Sequence, residues 1–120
     1  MENKKGILVV SLDFELYWGL RDIFPLEKCK DKLLGVYKAI PAILKVFKKY
    51  EIHATWAIVG FLFFENWRTL MKKLPHIRPK YRNDKFSPYN YIIEIYLSDK
   101  LNSYHFSSSL INLIQNSEDQ

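Results

Sequence analysis

Asp13 and Glu15 are the residues of this 120-residue chain whose type and spacing most directly suggest chemistry. They close an apolar run at residues 7–12 (Ile-Leu-Val-Val-Ser-Leu), with one residue between them. On an extended backbone alternate side chains share a side, so both carboxylates would project together. Two close carboxylates repel, and the repulsion is relieved when one takes up a proton or both share a cation. The pair therefore suits a divalent metal, or a base beside one. It equally suits a solvated acidic strand end, or Glu15 capping a nearby backbone amide, and spacing alone leaves these alternatives open.

Other candidates carry less. His53 opens an expected strand and suits a surface or hinge position, while His76 and His105 have no second histidine at ligand spacing. Ser107 to Ser109 lack the glycines of a nucleophile elbow, so a helix N-cap is expected there. Trp18 and Trp56 are expected to pack in the core, not to serve as sugar platforms. Cys29 is the one cysteine, so an internal disulfide is excluded, and no cysteine–histidine cluster has zinc spacing.

The elements that must position these residues follow from apolar periodicity. Residues 7–12 form a continuous, β-branched-rich run, the pattern of a strand buried on both faces. Residues 16–25 lack periodicity and are expected to loop. Between residues 30 and 50, Leu33, Tyr37, Ile40, Leu44 and Phe47 step by four and three, which is helical spacing. Pro41 interrupts that pattern and is expected to open a second helix after a first ends near Ala39. Residues 53–59 give a second strand and residues 62–74 a helix stopped by Pro75. Residues 75–88, with three prolines and many charges, are expected to make a long irregular excursion. Residues 91–97 alternate too weakly to assign, and a last helix is expected to start at Ser107 or Ser108.

The fold class expected is α/β, with strand, helix, strand and helix in order and the two strands parallel across a helical connection. Two parallel strands do not make a stable two-faced sheet by themselves. The polar end, residues 116–120, is open to two readings, a solvated tail or a truncation.

Composition sets the remaining limits. Hydrophobic residues make up 48% and aromatics 16%, enough for a packed core, which argues against disorder. The net charge of +5 is concentrated in residues 28–32, 45–49 and 72–82, interleaved with apolar residues, and is expected to form solvated helix faces. No zinc-finger, helix-turn-helix or aromatic RNA-binding signature is present, so no nucleic-acid partner is expected. Residues 1–6 lead into only four apolar residues, so no secretory signal or membrane association is expected and the cytoplasm is the default.

Three segments together resemble one family. Val10-Ser11-Leu12-Asp13-Phe14-Glu15, then Ile40-Pro41-Ala42-Ile43-Leu44-Lys45-Val46-Phe47-Lys48-Lys49-Tyr50, then His53-Ala54-Thr55-Trp56-Ala57-Ile58-Val59-Gly60 resemble the opening of the polysaccharide deacetylases of NodB homology. The resemblance is good over residues 6–66 and loose beyond. It implies the N-terminal portion of an irregular (β/α) barrel and hydrolysis of acetyl groups on a glycan with a divalent metal, zinc or similar. It assigns Asp13 the general base. Glu15 falls where members spaced Asp-x-Asp place a metal carboxylate. Water would attack the acetyl carbonyl, with the metal polarising its oxygen.

Two departures accompany the likeness. Glutamate stands where the family commonly has aspartate, and no His-x-x-x-His, the family's second pair of metal ligands, occurs in the 120 residues. In the family that turn follows a helix like residues 108–116 and a short strand beginning near a Glu-Ile pair. The resemblance therefore implies an incomplete domain over residues 1–120 without tight metal binding or activity, prone to self-association. Two other classes stay open. A phosphohydrolase of the haloacid-dehalogenase type would want Thr or Val at position 17, where Tyr17 stands. A small non-catalytic binding protein would use a basic, aromatic surface.

Overall fold

The computed structural model describes residues 5–96 and 102–117. The polar end at residues 118–120 and the last residue of the weak alternation, Leu97, lie outside the described residues. Strand β1 (Ser11–Phe14) leads through a 3-10 turn (Leu16–Gly19) and a second one (Leu26–Lys28) into α1 (Lys30–Leu34) and α2 (Val36–Tyr50). Strand β2 (Thr55–Ile58) follows, then a 3-10 turn (Gly60–Phe63) and α3 (Trp67–Lys73). After an irregular stretch come α4 (Pro88–Tyr96), α5 (Asn102–His105) and α6 (Ser108–Gln115).

The strands pair in parallel, with Ser11 opposite Thr55 and Asp13 opposite Ala57. Strand order and the helical connection thus match the sequence pattern, but the first strand is shifted. Residues 7–9 precede the ladder and are nearly bare, at 90%, 89% and 75% exposure for Ile7, Leu8 and Val9. The cause is the partner. Helix α2 closes on Glu51 in the left-handed region (φ 54°, ψ 41°), and the chain reaches the sheet only where the Thr55 amide donates to the Val10 carbonyl. β-branched residues favour extension, but a ladder needs a neighbour.

Burial on both faces is also overturned. Phe14 is buried, Trp56 and Ile58 are half-buried against the core, and Leu12 is half-buried opposite Trp56, whereas Ser11, Asp13, Thr55 and Ala57 alternate onto an exposed face. The sheet has one covered side.

Helix α2 buries the expected face, with Ile40 and Leu44 inside and Tyr37 and Phe47 partly covered. The break falls at Gly35 and not at Pro41, which lies inside α2. Pro41 is exposed, so water can satisfy the Tyr37 carbonyl that its ring leaves without a donor. The helix expected over 62–74 starts late, because Asn66 caps it. The Asn66 side chain accepts from the Thr69 amide at 3.0 Å, and the Thr69 hydroxyl returns toward the Asn66 amide. The excursion is irregular as expected, save a 3-10 turn (Asp84–Phe86), and the weak alternation resolves as α4 with Pro88 in its first position. Ser107 occupies the α6 N-cap position, but its hydroxyl makes no cap bond. Its amide donates to the Leu62 carbonyl at 3.1 Å, fastening α6 to the turn after β2.

Among the described residues no helix is long and apolar enough to cross a membrane.

Candidate functional site

Asp13 sits in β1 one residue before its carboxyl end, on the exposed side of the sheet beside Ala57. In parallel sheets, ligands gather at these ends because the connecting loops open there. Glu15 is exposed too, but its backbone has left the strand (φ −126°, ψ −26°), and Leu16 follows in the left-handed region at φ 50°. The extended geometry that would align the two carboxylates therefore ends at Glu15. Its side chain instead lies over Gly19, so closely that a methyl group at position 19 would collide with the carboxylate. Gly19 is thus the residue that gives Glu15 room.

A zinc or similar ion would need more. Protein zinc sites use at least three side-chain ligands. Among the described residues no group of three or more histidine, cysteine, aspartate or glutamate side chains could hold a metal. His53 and His76 are exposed on other segments, and Cys29 is buried in the core. Asp13 and Glu15 alone do not fit a resident divalent ion.

The densest polar–aromatic assembly was not legible from the sequence. His105 is fully buried, and its Nε2 shares a 2.5 Å hydrogen bond with the Tyr91 hydroxyl. Tyr17 meets the imidazole edge-on at 5.5 Å between centroids, Trp18 does so at 5.6 Å, and Trp67 lies at 5.0 Å. The Trp18 indole N–H donates to the His105 carbonyl at 2.8 Å, which confirms that ring as a packing residue. Trp56 is half-buried and lines a groove of about 520 Å³ with Ile58, Phe63 and Ile114.

Burial, the largest cause, pushes the Tyr91 phenol well above its ordinary value near 10, with the neighbouring Tyr17 adding to it and Arg21 opposing. Burial likewise raises Tyr17, with Cys29 as the next cause. A phenol held protonated can donate to an imidazole nitrogen. The guanidinium of Arg21 stands 5.6 Å from the Tyr91 ring centre and donates to the carbonyls of Lys85 at 2.9 Å and Phe86 at 2.7 Å. It ties the irregular excursion to the turn that follows β1. The histidine, the tyrosines and the tryptophans come from positions 17 to 105, so no local period announces them. The one available signal was the concentration of aromatic residues itself.

No family model matches the chain, and neither a curated protein nor a solved structure matches it.

Proposed function

We propose that the chain is related to the polysaccharide deacetylases and carries the acidic part of such a centre, with Asp13 as proton acceptor and Glu15 as the carboxylate on the metal side. The observation that carries this is the position of Asp13. It is an exposed carboxylate near the carboxyl end of a parallel strand pair, open to water and to a polymer. The three-segment resemblance supplies the reaction class, hydrolysis of N-acetyl or O-acetyl groups on a glycan, and the irregular (β/α) barrel as the parent fold. A cytoplasmic setting belongs to the same proposal.

The residues in hand support one step of that chemistry. Asp13 can accept a proton from a water molecule attacking an acetyl carbonyl. With Glu15 turned over Gly19 and no His-x-x-x-His in the sequence, these 120 residues are expected to give no turnover alone. The DNA that follows codon 120 tests the assignment. An encoded Glu-Ile followed by His-x-x-x-His is the expected result. Absence of that motif from every downstream frame would refute it.

A further inference from the structure

The charges expected on helix faces divide once the fold is known. Lys45 and Lys49 do lie on the exposed face of α2, but Arg78, Lys80 and Arg82 lie on no helix. With Lys85 they put four cations into residues 75–90 against the one carboxylate of Asp84, a surplus of three in a chain whose net charge is +5. Among the described residues no ion pair engages any of the four.

Two of the four, Arg78 and Lys80, line a cleft of about 360 Å³, within the range of small-molecule sites. The Asp84 carboxylate lines it with them, together with the neutral side chains of Tyr81, Ser87, Tyr89 and Asn90. Arg78 is held in two ways. Its Nε donates to the Pro75 carbonyl at 3.3 Å, and its guanidinium stands 4.9 Å over the Tyr89 ring. Its two terminal nitrogens make no hydrogen bond among the described residues, which leaves a planar fork of the kind that pairs with a carboxylate. The loop beneath is braced, since Arg21 holds the carbonyls of Lys85 and Phe86 and the Asn83 side chain accepts from the Lys85 amide.

We propose that this cleft binds a carboxylated sugar unit of an acidic polysaccharide, with Arg78 gripping the carboxylate, Lys80 adding charge, and the hydroxyls and amide meeting the sugar. The preference for an anion rests on two cations against the one carboxylate of Asp84 and on the open fork of Arg78, while the choice of a glycan rests on the deacetylase reading. Single-stranded nucleic acid is the competing polyanion, but its binders offer open aromatic faces to the bases. Here Arg78 already covers a face of Tyr89.

The test is calorimetric titration of the full chain, in chelator, with an oligogalacturonate, a neutral N-acetylglucosamine oligomer and an oligothymidylate of matched charge. The oligogalacturonate is expected to bind best, and to bind less well as salt rises. Arg78→Gln should weaken it roughly tenfold or more, and Asp84→Asn should tighten it by removing a like charge. Circular dichroism checks that each variant is folded, and Lys45→Gln, remote on α2, should bind as wild type. Equal binding by folded Arg78→Gln, tighter binding of the oligothymidylate, or no preference over the neutral oligomer would each overturn the proposal. None of these outcomes needs a metal or turnover, so loss of the deacetylase assignment downstream of codon 120 would leave the titration to be judged separately.

Discussion

At the residue scale, the hydroxyl of Tyr91 joins the histidine at the centre of the core to the loop that Arg21 braces. Removing that hydroxyl in Tyr91→Phe leaves a fully buried imidazole nitrogen without this partner, a loss of about 1–3 kcal/mol. The variant should also change the response to alkali. A phenol raised above 10 in the folded state favours folding fully below the unfolded tyrosine value, and that contribution fades as pH climbs through and beyond it. Chemical denaturation from pH 8 to 11 should therefore show wild-type stability falling above about pH 10 and a flatter profile in Tyr91→Phe. Identical slopes would mean that Tyr91 does not govern the alkaline limb. Nothing near Tyr91 or His105 in sequence marked them, because their neighbours at positions 17, 18 and 67 reach them only through the tertiary fold. The place of Asp13 near the carboxyl end of a strand was legible, since an acid ending an apolar run is a local signal. The turning of Glu15 was not, for it depends on the left-handed Leu16 and the space above Gly19.

Among the elements, α2 shows what periodicity can and cannot locate. Its buried face follows from the four-and-three spacing, because burial of that stripe in the core is what stabilises the helix. The break does not follow, since proline's cost depends on where its ring lies. Pro41 is exposed, and the helix runs on through it. Its missing amide and the crowding of the Tyr37 carbonyl remain a local cost, so Pro41→Ala should stabilise the chain by about 1–3 kcal/mol. A thermal melt reads this as a raised midpoint. A lowered midpoint would show that Pro41 itself helps to seat Ile40 and Leu44. The strands tell a similar story, because a β-branched run predicts extension at residues 7–9, yet only the arrival of β2 decides where a ladder begins.

For the whole molecule, the consequence of that mismatch is an apolar segment, residues 7–9, with no strand beside it. The radius of gyration is 17.4 Å and the long axis 60 Å, against about 14 Å of radius for a compact chain of this length. Ile7, Leu8 and Val9 are almost fully exposed, beside a two-stranded sheet with one uncovered face. Extended apolar residues next to open strand edges recruit another chain, because pairing satisfies backbone groups and removes apolar surface together. Self-association through residues 7–10 is therefore expected, growing with concentration in sedimentation velocity. Ile7 and Val9 share one side of an extended strand, so Ile7→Lys with Val9→Lys puts two charges on that side and should return the chain toward monomer. The substitutions touch no buried residue, so helical content should be kept. A wild-type chain that stays monomeric and melts sharply and reversibly would show that two strands and the helical layer suffice without a partner chain.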